Sequence, residues 1–360
     1  MILGTYVASL ANSTLLGETV SMSPDNATSQ ATPGWVGCDR DEPELDQLRA
    51  HLLANNGIKG LESVAPEETT RAKHLFYRDG FVVIRDVLTS EQLSIMQAAC
   101  TREISLMLGL DDGRRGNRGS HRYSFGWASK TRHLMHLPEW AMLVDLPTLT
   151  PALTAIFDSP EYICRGGGGD FCLPGAVEYQ ALHADINDRA TYELKDGQRV
   201  SYGAFHDPEG RLTIRDLPCP YVTANVLMTD FNALNGPTRQ IPGTQHSHQP
   251  MPSLEDEPDW MRLSTVMPAS AGSVLLRDPR AWHGGTPNVS DEVRAIPNVE
   301  FYAPWFRELM PISMPHHIHE MLTDHGRHIT RYIVARADEQ LDVGYHRNLG
   351  GTPPSFKTAD

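Results

Sequence analysis

The second half of this chain consists of short apolar runs separated by glycine, proline and asparagine. From about residue 160 these runs recur without the 3.6-residue period of an amphipathic helix, and several are rich in β-branched residues. Short strands at such spacing are typical of antiparallel sandwiches and barrels. The strands predicted in this half are 177–182, 221–230, 239–242, 272–277 and 295–302.

The first half has helical patterning, as does a segment near the C-terminus. Thr89 is a favourable N-cap residue for an amphipathic stretch that ends at Gly109. The other predicted helices lie at 66–79, 138–144, 151–157 and within 311–337, and one strand is predicted at 81–86. A polar insertion at 187–220 contains two turn signals and is interpreted as a pair of hairpins that form a lid.

These elements predict a mainly β chain with flanking helices, an α+β class, organised around one barrel-like core. Residues 1–45 are rich in Ser, Thr, Asn, Gly and Pro and are expected to form a loosely ordered arm. A single domain is expected at 46–345, followed by a tail at 346–360. Within that domain we expect a helical part (46–160), the β core (160–305) that carries the 187–220 insertion, and C-terminal helices (311–337).

Charge and cysteine usage narrow the choice of partners and compartment. The formal net charge is −14 at neutral pH, so an electrostatic attraction to nucleic acid is not expected. Five cysteines are spread along the chain without a CxxC pair, which favours reduced thiols and a cytoplasmic location. No run of about 18 apolar residues is present, so no membrane span is predicted. The sequence does not indicate an oligomeric state.

A histidine and an aspartate separated by one residue follow the predicted strand 177–182. Side chains alternate across a strand, so His183 and Asp185 would point to the same face and could ligate one metal ion. A buried histidine bonded to a nearby carboxylate is the simpler explanation of this short pattern. By itself the pattern does not decide between the two.

A second histidine follows the predicted strand 272–277, about 100 residues later. Together with His183 and Asp185, His283 would complete a set of two imidazoles and one carboxylate. That set leaves positions open on iron(II) for a co-substrate and O2. Arg294 begins the next apolar run, and a buried arginine could bind the far carboxylate of a dicarboxylic acid. A structural role for His283 remains open on these residues alone.

Four motifs in this order resemble the phytanoyl-CoA dioxygenase (PhyH-like) family of Fe(II)/2-oxoglutarate oxygenases. In chain order they are FYRDGFVVI at 76–84, the HxD pair of His183 and Asp185, NGPTRQIPGTQH at 235–246, and the distal His283 with the arginine eleven residues after it. The resemblance extends over about residues 70–305. It implies a double-stranded β-helix (jelly-roll, cupin-like) core that holds iron.

The resemblance also implies roles for individual residues. His183, Asp185 and His283 would ligate Fe(II), and Arg294 would bind the C5 carboxylate of 2-oxoglutarate. Contacts to the co-substrate are further expected from Asn225 and Lys130. Some relatives have a hydroxyl residue two places after the distal histidine, where this chain has Gly285, so Thr286 is expected to substitute or the carboxylate is bound differently.

The activity implied is hydroxylation of an unactivated C–H bond of a small molecule, with O2 consumed and succinate and CO2 released. Desaturation or oxidative cyclisation would use the same ligands. The same residues would also suit a cupin-like metalloenzyme independent of 2-oxoglutarate, or a catalytically silent small-molecule-binding barrel. Arg122 and Arg132 are candidates for substrate binding, as is Asp170, which ends a glycine-rich run at 165–170 interpreted as a flexible turn near the site mouth.

Overall fold

A computed structural model describes residues 34–188, 190–193, 197–350 and 357–358. The α-helices are α1 (Pro43–Asn55), α2 (Thr69–Asp79), α3 (Ser90–Leu108), α4 (Phe125–Ala128), α5 (Pro138–Met142), α6 (Thr150–Phe157), α7 (Asp259–Arg262), α8 (His316–Glu320) and α9 (Asp324–Thr330). The strands are β1 (Ser63–Val64), β2 (Phe81–Ile84), β3 (Arg122–Ser124), β4 (Ile163–Cys172), β5 (Ala190–Glu193), β6 (Arg199–Tyr202), β7 (Tyr221–Val226), β8 (Arg239–Gln240), β9 (Val274–Arg277), β10 (His283–Gly284), β11 (Arg294–Tyr302) and β12 (Lys357–Thr358).

The long helix α3 begins where the sequence predicts. The Thr89 hydroxyl accepts the backbone N–H of Gln92, and the Gln92 side chain accepts the backbone N–H of Thr89, so both donors are satisfied. Helix α1 was not predicted, because only Leu45 and Leu52 in it are buried and they leave too weak an apolar period. Residues 1–33 of the predicted arm lie outside the described residues.

Seven strands form the larger sheet, in the order β1-β2-β9-β7-β11-β4-β3. The pair β1–β2 is parallel and the other five pairs are antiparallel. Strand β11 is central and pairs with β7 on one side and β4 on the other. Four of the six neighbouring pairs join strands that are not consecutive along the chain, which is typical of a double-stranded β-helix and confirms the predicted core.

The two faces of this sheet are covered differently. Alternate residues such as Val82, Ala224 and Leu276 belong to the main core, which also contains the buried faces of the helices. The intervening residues, such as Val83 and Leu275, pack on the opposite face against Val266 and its neighbours. This second face is called the inner face below. It looks towards the two-stranded sheet formed by β8 and β10, which is called the smaller sheet.

The smaller sheet is short and lies opposite the inner face. Strands β8 and β10 pair antiparallel, with His283 opposite Gln240. Single bridges extend this pair on both sides, from His283 to His183 and from Arg239 to Thr265. The predicted strand 177–182 is not formed. The chain there is joined to its neighbours by single bridges, from Ala176 to Asn288 and from His183 to His283, and by a 3.0 Å hydrogen bond from the Gln180 N–H to the Gly285 carbonyl.

The glycine-rich run at 165–170 is not a flexible turn, as its composition suggested. It forms the middle of β4 and pairs with β11 from Gly166↔Glu300 to Asp170↔Ile296. A Cβ atom at Gly167 or Gly169 would overlap the backbone of β11, and one at Gly168 would lie 2.9 Å from Gly126. Glycine is needed here because backbone segments approach closely.

In the described part of the insertion at 187–220, β5 and β6 pair as an antiparallel hairpin. The second turn signal forms a turn closed by a 3.0 Å hydrogen bond from the Gly210 N–H to the Asp207 carbonyl. A 3₁₀-helix, Ile214–Asp216, follows it in place of a second hairpin. Residues 189 and 194–196 lie outside the described residues.

Within the described residues, no single helix is long and apolar enough to cross a membrane. One bent pair, Pro138–Asp145 with Thr150–Phe157 at 56°, passes the same test of length and composition when taken together.

Candidate metal centre and co-substrate pocket

Backbone pairing to His283, rather than a regular strand, holds His183 in place. The two residues exchange backbone hydrogen bonds of 3.0 and 3.1 Å across their bridge, and their ring centroids are 4.2 Å apart. The Asp185 N–H donates to the Pro279 carbonyl at 2.8 Å. Asp185 is therefore anchored to the loop that leads into His283. The two segments converge as the sequence predicts, but through single bridges and loop contacts and not through a regular strand.

The three side chains offer one oxygen and two nitrogens to a common point. Asp185 Oδ1 lies 3.8 Å from His183 Nε2 and 3.5 Å from His283 Nε2, and the three ligand atoms lie within 4.8 Å of one another. Bonds of about 2.1 Å would place perpendicular ligand atoms about 3 Å apart. The two pairs that include Asp185 are therefore within about 1 Å of the separation that ligands of one ion would have.

An arginine that sequence reasoning missed stands behind the carboxylate. Arg277 Nη1 donates to Asp185 Oδ2 at 2.7 Å and lies 2.6 Å from His283 Nε2. Burial alone would raise the pKa of Asp185, but Arg277 and the two histidines outweigh it and hold that pKa well below its usual value. The carboxylate is thus ionised, with Oδ1 turned to the imidazoles and Oδ2 to the guanidinium.

The two imidazoles are neutral at physiological pH. Burial and the neighbouring His283 lower the pKa of His183 to about 3. Burial and Arg277 lower the pKa of His283. Neutral rings present lone pairs, which is the form that ligates a metal.

A further arginine lies on the solvent side of the group. Arg118 Nη2 is 3.5 Å from His183 Nε2 and 3.9 Å from Asp185 Oδ1. The sequence places Arg118 in a basic loop that could contribute to recognition of an anionic substrate, but it does not predict that this side chain lies beside the metal group. Arg277 could have been identified from the sequence. It lies two residues after Leu275 in the predicted strand 272–277, so the two side chains point to the same face.

Arg294 is buried on the inner face, with only 3% of its surface exposed. Its Nε donates to the Gly236 carbonyl at 3.0 Å, whereas Nη1 is buried without a hydrogen-bond partner among the described residues. A buried guanidinium N–H without an acceptor costs free energy, and a carboxylate would satisfy it. This orphaned donor fits the far carboxylate of 2-oxoglutarate.

Arg122 lies two strands from Arg294, and both residues pair with Cys172 of β4 between them. Its Nη2 donates to the carbonyls of Ala176, Glu178 and Thr286, whereas its Nε is buried without a partner in the described part of the chain. A Cβ at Gly285 would lie 2.9 Å from this Nε. The guanidinium therefore occupies the space that a side chain at position 285 would enter.

The other predicted site residues are placed as follows. Asn225 is buried on β7 opposite Leu275, on the inner face, and Asp170 lies opposite Ile296 on the same face. The Thr286 hydroxyl donates to the Pro237 carbonyl at 2.6 Å.

Lys130 and Arg132 have no described contact with the metal group. Lys130 forms an exposed ion pair of 2.7 Å with Asp342. Arg132 is exposed and has a positive φ of 62°.

Two imidazoles and one carboxylate at the mouth of a double-stranded β-helix, with a buried arginine on the inner face, define a class. They are the parts of a non-haem Fe(II)/2-oxoglutarate-dependent dioxygenase. The model of the phytanoyl-CoA dioxygenase (PhyH) family matches residues 76–296, which is more than half of the chain. The chain belongs to this family, and Fe(II) and 2-oxoglutarate are its cofactor and co-substrate.

Several solved structures are similar to the chain. HygX from Streptomyces hygroscopicus, determined with nickel, 2-oxoglutarate and hygromycin B, is 20% identical over 67% of this chain and 91% of its own, with a TM-score of 0.46. AviO1 from Streptomyces viridochromogenes Tue57 is 18% identical over 67% and 97%, with a TM-score of 0.43. SnoK, a non-heme alpha ketoglutarate dependent carbocyclase from nogalamycin biosynthesis, is 20% identical over 68% and 90%, with a TM-score of 0.42.

Proposed function

We propose that this dioxygenase hydroxylates an unactivated C–H bond of a small-molecule metabolite and releases succinate and CO2. The observation that carries the proposal is the arrangement of Asp185. Its Oδ1 faces both imidazole Nε2 atoms, at 3.5 and 3.8 Å, while Arg277 binds Oδ2. A carboxylate held in this way offers one oxygen to a metal and keeps its charge.

The proposed ligands of Fe(II) are His183, Asp185 and His283. Bound iron would supply the activation of O2, coupled to the oxidative decarboxylation of 2-oxoglutarate. The ligand set occupies one side of the ion and leaves the other side to the co-substrate and O2. Because the carboxylate ligand is present, this set favours hydroxylation over halogenation, which would need room for a halide at position 185.

The proposed anchor for the C5 carboxylate of 2-oxoglutarate is Arg294, through its unpartnered Nη1. Asn225 is a further proposed contact, since it lies on the inner face between the ends of the site. Thr286 is proposed to act through the Pro237 carbonyl that it binds, by fixing the loop before the smaller sheet. Lys130, Arg132 and Asp170 remain proposals without a described contact to the metal group.

The proposal extends to the setting in which the enzyme works. One catalytic domain at 46–345 is proposed, because strands from 63 to 302 share one sheet. All five cysteines are free, four of them buried, which supports a reducing compartment such as the cytoplasm. The acidic net charge supports a small-molecule partner rather than nucleic acid.

The test is a succinate-release screen of the iron-loaded protein with 2-oxoglutarate, O2 and a metabolite library. Product mass then separates the reactions: a gain of one oxygen supports hydroxylation, whereas a loss of two hydrogens shows desaturation or cyclisation instead. His183→Ala should abolish succinate release. His316→Ala, which changes a half-exposed histidine paired with Glu320, is the matched control and should not. Absence of any succinate above the His183→Ala background would favour the catalytically silent barrel.

A further inference from the structure

Arg118 is a cation at the entrance of the metal group with hydrogen-bonding capacity to spare. Among the described residues, its Nη2 is the only atom of the guanidinium with a polar contact, to His183 and Asp185. The side chain is 27% exposed, whereas that of Arg277 behind the carboxylate is 8% exposed. Arg118 is therefore the more solvent-accessible of the two cations that approach Asp185.

The ion pair between Arg118 and Asp185 does not consume this cation. It is 3.9 Å long, against 2.7 Å for the pair of Arg277 with the other carboxylate oxygen. The oxygen nearer to Arg118 is Oδ1, the one that faces both imidazoles. When a metal takes Oδ1, Arg118 loses most of its partner, and its N–H groups are left for another acceptor.

An exposed tryptophan holds the guanidinium in position. The Arg118 Cζ lies 4.9 Å from the centre of the Trp127 ring, which is a cation–π distance. Trp127 is 41% exposed although it belongs to helix α4, whose neighbours Phe125 and Ala128 are buried. This contact holds the guanidinium beside the ring and leaves its N–H groups free to donate, while the exposed part of the ring remains an apolar surface.

The charges around the site also favour an anionic ligand, because positive charge is in excess. The inner face and its rim carry more guanidinium groups than carboxylates: Arg118, Arg122, Arg277 and Arg294 against Asp170 and Asp185. Arg165 pairs with Glu300 at 2.7 Å and with Glu308 at 3.7 Å, so this group adds one negative charge and does not reverse the excess. Iron(II) and the 2-oxoglutarate dianion cancel, so the loaded site keeps an excess of positive charge that an anionic substrate would neutralise.

We infer that the substrate carries a carboxylate, that Arg118 binds this carboxylate beside the metal, and that the adjoining apolar part of the substrate lies on Trp127. The inference rests on the proposed function and narrows it to a class of substrate. The charge-assisted, two-point hydrogen bonding of a guanidinium to a carboxylate gives the recognition its direction. The C–H bond that reacts is then one within reach of an acid group held at the rim.

The experiment measures probe binding to the Fe(II)·2-oxoglutarate protein without O2. Its visible iron-to-2-oxoglutarate charge-transfer band reports the loaded site and shifts when a molecule displaces water beside the metal. The probes are aromatic and alicyclic carboxylic acids, each paired with its carboxamide. We expect acids to shift the band at concentrations at least tenfold below those of their amides.

Variants separate recognition from loading. Arg118→Gln should keep the band and weaken acid binding about 10- to 100-fold, as loss of a charged hydrogen bond predicts, while Arg118→Lys should restore part of it. Trp127→Ala should weaken binding more than Trp127→Phe. Arg115→Gln, in the same loop with its side chain 89% exposed, is the matched control and should change nothing.

The possible outcomes distinguish failure of the proposed function from failure of this inference alone. Failure of the band to form would remove the proposed function and this inference with it. A normal band with acids and amides binding equally, with no probe binding, or with acid binding unaffected by Arg118→Gln would overturn the inference and leave the proposed function standing.

Discussion

Arg277 Nη1 donates a 2.7 Å hydrogen bond to Asp185 Oδ2 while lying 2.6 Å from His283 Nε2. One buried guanidinium thus touches two of the three proposed metal ligands. Strand β9 places it there, because Arg277 pairs with Thr223 in the middle of the larger sheet and shares the inner face with Leu275. Since the contact with His283 uses the nitrogen that faces the carboxylate, metal binding requires the guanidinium to withdraw from His283 and keep Asp185.

Replacing Arg277 by Leu should weaken metal binding. Asp185 would lose the partner that orients its carboxylate, and loss of such a partner typically lowers metal affinity 10- to 100-fold. Titration with Co(II), followed by its visible spectrum, measures this directly. Arg277→Lys should recover part of the loss, and Arg85→Leu, just after the end of β2 where the side chain donates to the Ser63 carbonyl, should have no effect. Tighter metal binding by Arg277→Leu would instead show that the guanidinium competes for His283.

Replacing Arg294 by Leu should raise the 2-oxoglutarate requirement with little change in metal affinity. Hydrogen bonds to charged groups contribute about 1.5–3 kcal/mol each, so losing one such bond predicts a rise in KM of about 10- to 150-fold, and losing two predicts a larger rise. Initial rates of succinate release against 2-oxoglutarate concentration measure it. An unchanged KM would support a metalloenzyme that does not use 2-oxoglutarate, and Arg294→Lys should fall between the wild type and the Leu variant.

Adding a hydroxymethyl group at Gly285 should destabilise the protein. The new Cβ would lie 2.9 Å from Arg122 Nε and 3.3 Å from Gln180 Oε1. Overpacking of this kind costs about 1–3 kcal/mol, which urea unfolding of Gly285→Ser would detect. Gly34→Ser is the control, since no atom of the described residues lies within 4 Å of its Cβ position. Wild-type stability of Gly285→Ser would mean that Arg122 moves aside freely.

Breaking the buried ion pair of Arg239 with Glu257 should cost more than any surface substitution. Both side chains are fully buried, and Arg239 also donates to the Gln180 carbonyl in the segment that leads to His183. Glu257→Gln leaves a buried unpaired guanidinium, so we expect a loss of about 3–5 kcal/mol in the free energy of unfolding. The double variant Arg239→Met/Glu257→Leu should recover much of it, whereas an equal loss in the double variant would assign the effect to packing.

Buried His133 should make the protein less stable in mild acid. Burial and the nearby Arg165 lower the pKa of His133 to about 3. The unfolded chain takes up a proton near pH 6.5 and the folded chain does not, so stability falls as pH drops below about 6.5. Between pH 7 and 5 this amounts to about 2 kcal/mol. Urea unfolding at both pH values should show a smaller pH dependence for His133→Gln; an unchanged dependence would exclude this histidine as its source.

The positions of the proposed ligands and of Arg294 were readable from local patterns. His183, Asp185 and His283 are polar residues set beside apolar runs, and strand β11 begins at Arg294 as its apolar run predicts. Strands β2, β7, β9 and β11 of the larger sheet and helix α3 were likewise predicted, because alternation and capping are encoded within a few residues, whereas β1, β3 and β4 were not. The predicted strand 177–182 was wrong. Only isolated bridges form at its two ends, and they depend on a segment about 100 residues away that the local sequence pattern does not reveal.

By itself, the sequence determined which chemical groups the site contains, because each imidazole, carboxylate and guanidinium belongs to a single residue type. Only the tertiary structure decided which cations share that site. Arg118 and Arg277 are 159 residues apart in numbering, yet both approach Asp185, one on its solvent side and one behind it. Such convergence depends on pairing between distant strands and on which face each strand buries, and no local period records either. The same reason explains the glycines of β4, whose small size is required only once β11 and Gly126 lie against them.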